Sequence, residues 1–313
     1  MPKVGDLDSK MSLTLTIVTG SLNKTQLVSS FYRFIDGLSI TYETDMHFKV
    51  TGNAELISKV FNTSFSEYKC KPDCGKDICY ASNSKATLPD PLKSSVVGIL
   101  GLENIITGNT NYAIGEINIT IGDRRQESSS SIQYFKPPKV AQIYNFPDGD
   151  GLGVSIGIVT LGGYFKQTDL DKYFDIFSLG TAPYIEKKFL GGAQENNDVN
   201  GINENYLDIE IIASIVPKAK ITIYFAPNDF GSFYEAVYFA VKENDVVSIS
   251  WLFHETIFED RSDVNVFEEF LSKTNVPVFA ATGDDGSSKG VSIPSTCPSA
   301  IGKLLIYIKK WQW

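Results

Sequence analysis

Between residues 154 and 281 the chain alternates short apolar runs with longer amphipathic stretches. Runs near 154–160, 220–225, 246–251 and 277–281 are strand-length and rich in Val, Ile and Phe. Between and after them, stretches near 168–177, 204–216, 231–243 and 263–274 repeat apolar residues at helical spacing. Strand-helix alternation of this kind predicts an α/β fold with a parallel sheet. Functional groups in such sheets gather at the carboxyl ends of the strands.

The first hundred residues follow a different rhythm. Leu13-Thr14-Leu15-Thr16-Ile17 alternates like a strand, and 23–35 carries Leu27, Phe31 and Phe34 on one helical side. An extended run covers 38–50. Thr51-Gly52-Asn53 then opens a short helix with Leu56, Ile57 and Phe61, followed by a hairpin-like stretch that bears cysteines. The alternation predicts a small α+β, ferredoxin-like sandwich. Arg124-Arg125-Gln126-Glu127 and Ser128 to Ser131 are polar and aperiodic, as a linker is. The expected division is a first domain over 1–122, a linker and candidate cleavage segment over 123–134, and a second domain over 135–313.

Composition narrows the partners. At 313 residues and 42% hydrophobic, the chain can bury one large core or two. A formal charge of −9 argues against a nucleic-acid partner. No apolar run reaches the roughly 20 residues of a membrane span, and the opening Met1-Pro2-Lys3-Val4-Gly5-Asp6 lacks the apolar core of a signal peptide. Cys70, Cys74 and Cys79 cluster, while Cys297 stands apart. Two readings stand for the cluster: part of a zinc site, or a disulfide in a hairpin insertion, which export favours.

Glu204 and Asp208 carry the candidate chemistry. Four residues apart, they stack on one helix face, and at about 100° per residue Ile211, Ile212 and Ile215 share that face while Glu210 points away as a solvated charge. Two carboxylates in an apolar stripe need partners, protons or a chemical task such as general acid/base work. The plainer alternative puts both on the exposed first turn, where acids suit the helix dipole.

Five words in order then resemble the sedolisin family of serine-carboxyl peptidases, in its kumamolisin-like branch. They are Gly157-Ile158-Val159-Thr160-Leu161-Gly162-Gly163-Tyr164-Phe165; Glu204 with Leu207-Asp208-Ile209-Glu210; Ala219-Lys220-Ile221-Thr222-Ile223-Tyr224-Phe225-Ala226-Pro227-Asn228; Val247-Ser248-Ile249-Ser250-Trp251; and Val278-Phe279-Ala280-Ala281-Thr282-Gly283-Asp284-Asp285-Gly286. The stretch from Phe48 to Phe65 is similar to the family's propeptide. The resemblance implies a subtilisin-like parallel sheet flanked by helices, incomplete here, preceded by a pro-kumamolisin-like propeptide. It implies Glu204 as general base to a serine, Asp208 as the second acid, and Asp284 as the oxyanion acid, with Asp285 the alternative. Ser250 and Trp251 are implied as substrate-binding residues. Polypeptide substrates, the chain's own propeptide as partner, and an extracellular setting come with it.

Departures accompany the match. Thr160 stands where the branch often has another glutamate, and Leu252 and Phe253 replace two glycines that admit the substrate backbone. The family's Ser-Gly-Thr-Ser nucleophile word does not occur in these residues, nor do the aspartates of its calcium site, so no metal ligand is expected here although calcium belongs to the intact family. The stretch from Lys303 to Trp313 matches nothing. The expectation is a precursor truncated before its serine and unable to hydrolyse peptides as it stands. The competing reading is a non-catalytic peptide-binding or inhibitory protein built from the propeptide and a peptidase remnant. A nucleotide-binding protein is disfavoured by the absence of a phosphate loop.

Overall fold

A computed structural model describes residues 1–20, 29, 37–70, 77–88, 90–105, 108, 135–258, 262–284 and 290–303. The N-terminal part contains β1 (Lys3–Asp6), β2 (Ser12–Thr19), β3 (Ser39–Glu43), β4 (His47–Asn53), α1 (Ala54–Val60), β5 (Phe65–Tyr68), β6 (Cys79–Ser82), α2 (Asp90–Lys93) and β7 (Val96–Leu100). Four of these strands pair antiparallel in the order β3-β4-β2-β7. Counted in chain order that is 2-3-1-4, the strand order of a ferredoxin-like sheet. The alternation in β2 buries Leu13, Leu15 and Ile17 on one face against Phe48, Val50, Ile57 and Phe61. Asn53 caps α1, its side chain accepting from the Leu56 N–H at 2.8 Å.

One expectation changes here and one open choice is decided. The run over 38–50 is not one strand: Thr44 turns it back, its Oγ1 accepting from the N–H groups of Met46 and His47 at 3.2 and 2.9 Å. The cysteine stretch is a hairpin, β5 with β6, closed by a Cys70–Cys79 disulfide, which removes two ligands from the zinc reading. Cys74, the linker over 123–134, and the helix expected over 23–35, apart from Ser29, lie outside the described residues.

The second part runs α3 (Pro137–Ile143), β8 (Ser155–Thr160), α4 (Gln167–Phe177), β9 (Ile185–Phe189), α5 (Val199–Ile215), β10 (Lys220–Phe225), α6 (Phe230–Glu243), β11 (Val246–Ile249), β12 (Phe253–His254), α7 (Ser262–Leu271), β13 (Val278–Ala281), β14 (Ser292–Ile293) and β15 (Ile301–Lys303). Six strands form a parallel sheet in the order β15-β13-β11-β8-β10-β9. The strands buried on both faces were legible as apolar runs; β9, Ile-Glu-Lys-Lys-Phe, was not, because an edge strand covers its charges with solvent. On one face Ile156, Ile158, Ile221 and Ile223 pack beneath α4 and α5. On the other, Val159, Val247, Ile249, Val278 and Ala280 pack beneath α6 and α7.

The two parts share a core. Val18, Met46 and Leu100 of the first sheet join the cluster formed with α6 and α7. Lys49 reaches Glu235 at 2.5 Å in a nearly dry ion pair, Asp45 takes Lys242 at 2.6 Å and the Tyr238 hydroxyl, and the buried ring of His47 meets Tyr234 and Tyr238 edge-on. Burial pushes the Asp45 carboxyl up, but the hydrogen bonds from Lys242 and Tyr238 outweigh it and hold it below its ordinary value.

Candidate active site

Helix α5 begins earlier than the apolar pattern suggests. Asp198 caps it, its side chain accepting from the Asn200 N–H at 3.2 Å, so Glu204 lies in the second turn and not on an exposed first turn. Glycines decide where the helix sits. A Cβ on Gly201 would stand 2.6 Å from the Gly162 carbonyl carbon, and one on Gly163, at φ +75°, 2.3 Å from the Ile202 nitrogen. The Gly162-Gly163 loop after β8 therefore touches the helix backbone. Buried Asn205 locks the contact, donating through Nδ2 to the Gly162 carbonyl at 3.0 Å.

That approach brings Glu204 to the carboxyl ends of the central strands with 8% of its surface exposed. Asp208, one turn on, accepts from Ser250 Oγ at 2.8 Å. Ser248 and Ser250 share the α5 side of β11 because strand side chains repeat every second residue. From β15, Lys303 extends across the sheet and donates to Ser248 Oγ at 2.8 Å. The cluster is thus two acids, two hydroxyls and one ammonium.

Burial is the largest influence on all three charged groups. Glu204 is raised to about 7: burial is the largest cause and the Asp208 charge adds to it, the Ser250 hydrogen bond and the Lys303 charge oppose it, and Asp284 adds a small upward push. Burial also raises Asp208, against Lys303 and Ser250, and lowers Lys303, against the two acids. Lys303 and Asp208 attract each other, yet both are driven toward their neutral forms. Desolvation therefore outweighs the attraction.

The structure corrects the helix face. Leu207 and Ile211 are exposed, Ile211 to 41%, while Ile209 and Ala213 fill the core. The buried side is centred about one residue away from the expected stripe, since the helix lies on the sheet through Gly201, Asn205 and Ile209. Glu210 is consequently no ordinary solvated charge: it is half-buried on the side of Tyr173 in α4, and burial raises it to about 7.

Asp284 lies just past β13, exposed, with its charge felt at Glu204; Asp285 is outside the described residues. Trp251 is 2% exposed within the core on the α6 side, and its Nε1 has no hydrogen-bond partner among the described residues. Ser250 meets the acids, whereas Trp251 faces away from them. Thr160 Oγ1 donates to the Gly162 carbonyl at 3.2 Å and bears no charge. Nothing in the sequence singles out Lys303 or Asn205: the lysine sits in a stretch without any pattern, and the asparagine is one polar residue among several. Among the described residues no three His, Cys, Asp or Glu side chains gather as a metal site. No described helix is long and apolar enough to cross a membrane.

The family model for the pro-kumamolisin activation domain matches residues 23–105. Kumamolisin from Bacillus sp. (strain MN-32) is 39% identical over 252 residues, which cover 77% of this chain and 44% of kumamolisin. The chain thus spans less than half the length of that relative. Among solved structures, Pseudomonas sedolisin, a serine-carboxyl proteinase complexed with two molecules of pseudo-iodotyrostatin, aligns over 55% of this chain and 54% of its own, at 18% identity and a TM-score of 0.44. An epidermin leader peptide processing serine protease from Staphylococcus aureus aligns over 93% and 68%, at 12% identity and a TM-score of 0.47.

Proposed function

The chain is a kumamolisin-like member of the sedolisin family, and from that membership we propose that it is the propeptide and acid-bearing part of an acid-acting serine-type endopeptidase. The observation that carries this reading is the Glu204–Asp208 pair: two carboxyls brought together at the strand ends, Glu204 buried and Asp208 oriented by Ser250. Glu204 acts as general base, taking the hydroxyl proton of the serine as its oxygen attacks the scissile carbonyl and returning it to the leaving amine. Asp208 holds a proton or a charge in exchange with it. Asp284, when protonated, donates to the oxyanion that forms.

The substrates are polypeptides, the N-terminal sheet is the propeptide partner, and the protein acts outside the cell. Calcium, as the family uses it, is held by residues other than those described here. A polypeptide of these 313 residues alone should not turn over peptides, because the Ser-Gly-Thr-Ser word is absent from them. Restoring kumamolisin's C-terminal region as a chimera provides the test. Acid endopeptidase activity should appear, and Glu204→Gln or Asp284→Asn should remove most of kcat with little effect on KM. A chimera that binds peptides but never cleaves them, whatever residue stands at 204, would sink the reading in favour of a binding protein.

A further inference from the structure

Ser248 and Lys303 meet on the side of the parallel sheet that carries α5. Paired residues of adjacent strands line up there in rows: Ile158, Ser248, Phe279 and Ile301 make one, and Ala281 with Lys303 stands in the next, nearer the carboxyl ends. Helices α4 and α5 seal the Ile158 end of the face. Among the described residues that cover stops toward β15: Ser248, Phe279, Ala281 and Lys303 are half-buried, and Ile301 is 46% exposed.

Lys303 crosses this open face to reach its partner. Strands β11 and β15 lie two strand spacings apart, about 10 Å, and Ala281 between them carries only a methyl group, which leaves the lysine stem a path over β13. The amine ends 2.8 Å from Ser248 Oγ, and among the described residues no carboxylate oxygen lies within 4.0 Å of it. It is offered to a hydroxyl and not spent in an ion pair. Serine and lysine at hydrogen-bond distance can pass one proton between them, with the lysine as base once it is neutral and the serine donating. Glu204 and Asp208 on α5 are the acids whose charges reach Lys303, with Asp284 at the rim, and burial outweighs their attraction in holding the amine below its ordinary value.

We propose that Ser248 is a nucleophile of this chain in its own right, with Lys303 as its base, and that it takes the acyl group of small apolar carboxylic esters. Phe279 and Ile301, in the same row as Ser248, offer the apolar floor on which such an acyl group lies. Ser248 Oγ attacks the ester carbonyl as its proton passes to Lys303 Nζ. The bond to the alcohol oxygen breaks, the proton leaves with that oxygen, and the acyl group stays on Ser248. Water then attacks the acyl-serine, giving its proton to Lys303, which returns it to Ser248 Oγ as the acid departs. An ester is the substrate and not a peptide because an alkoxide leaves more readily than an amine. The proposal goes beyond the peptidase reading, since it needs neither the family's serine nor Glu204 as a base.

Labelling of the full 313-residue chain with a fluorophosphonate tests it, because the serine oxygen displaces fluoride and the phosphonyl adduct persists for peptide mapping. One adduct should form, on Ser248, and none when the chain is first unfolded in urea. p-Nitrophenyl butyrate should be hydrolysed by wild type and not by Ser248→Ala. Lys303→Arg keeps the charge but cannot give up its proton, so both reactions should slow about 100-fold or more. Both rates in wild type should rise with pH, with a midpoint below the ordinary lysine value of 10.5. An adduct on any other residue, or none, overturns the proposal, as does labelling of Lys303→Arg at the wild-type rate. Should Lys303→Arg fail to fold, the wild-type profile decides: a rate that stays flat between about pH 6 and 9 leaves no neutral amine acting as base. The chimera assay reads Glu204 with a supplied serine and this one reads Ser248 without it, so either can fail while the other stands.

Discussion

Lys303 donates to Ser248 Oγ at 2.8 Å, two strand positions from Ser250, whose hydroxyl holds Asp208 at the same distance. Two residues of strand span about 7 Å, so the ammonium and the carboxyl pair face the same small volume from opposite ends. At that distance and an effective dielectric near 20, one charge still feels another by about 2 kcal/mol. The groups that share the space are Glu204 and Asp208 from α5, with Asp284 at the rim.

Removing the ammonium should therefore make the acids harder to ionise. Lys303→Met is expected to raise the titration midpoint of the Glu204–Asp208 pair by about one pH unit, read from carboxyl infrared bands that Glu204→Gln and Asp208→Asn identify. Lys303→Arg, which keeps the charge, should leave the midpoint closer to wild type. A midpoint unmoved in Lys303→Met would show that Lys303 only supports Ser248.

The raised Glu204 makes a stability prediction whose sign is fixed. Its folded value, about 7, exceeds the ordinary 4.5, so the folded state holds the proton more tightly than the unfolded state does. Its contribution is complete below pH 4.5 and is lost as the pH rises through 7. Glu204→Gln should abolish that loss, leaving the variant more stable than wild type near pH 8 by about 2 to 3 kcal/mol and little changed at pH 4. Glu210 titrates in the same window for the same reason, so Glu210→Gln should flatten part of the same curve. Urea midpoints at pH 4, 6 and 8 for the two single variants and the double separate the contributions. A wild-type midpoint constant across that range contradicts both.

The parts of this molecule that burial organises through repetition were legible in the sequence. The central strands show as apolar runs because both of their faces are covered, and β2 shows as an alternation because one is. Glu204 and Asp208 were legible as acids out of place. The exact face was not, because it depends on Gly201 meeting Gly162 and Gly163, a contact between residues that carry no hydrophobic signal. Lys303 was invisible for a related reason: a lysine at the start of a stretch that matches nothing gives no sign that strand pairing, Ala281 with Lys303, will aim it at a carboxyl pair. Asn228 stood in a recognised word without a role, since its partner Gly108 lies 120 residues upstream.

The ion pair between the two sheets gives a third prediction. Glu235 is nearly enclosed, its side chain 7% exposed, and Lys49 is its partner at 2.5 Å. Lys49→Met leaves a carboxyl buried without its counter-charge, which costs about 3 kcal/mol in comparable sites. The variant should loosen the N-terminal sheet from α6 and expose it to limited proteolysis at neutral pH. Glu235→Leu combined with Lys49→Met should recover much of the loss, because an apolar pair of similar size avoids the desolvation of both charges. If the double variant is cleaved as fast as Lys49→Met, the pair contributes more than its charges.

Gly201→Ala decides whether the placement of the acid helix rests on glycine contact. In an open helix this substitution stabilises by up to about 1 kcal/mol, since alanine loses less backbone freedom. Here the new methyl would lie 2.6 to 2.9 Å from the backbone of Gly162 and Gly163, and backbone cannot swing aside as a side chain can. Overpacking of that kind costs about 1 to 3 kcal/mol, so the net effect should be destabilising, with the Asn205 hydrogen bond to Gly162 stretched or broken. Gly149→Ala is the control: its Cβ meets nothing within 4 Å and its backbone is outside the left-handed region, so it should be neutral or slightly stabilising. Moving α5 off the loop also moves Glu204 toward water, which predicts a lower Glu204 pKa in Gly201→Ala alongside the lower urea midpoint. A stabilised Gly201→Ala with an unchanged Glu204 titration would mean that the sheet, and not the glycine loop, fixes the acid pair.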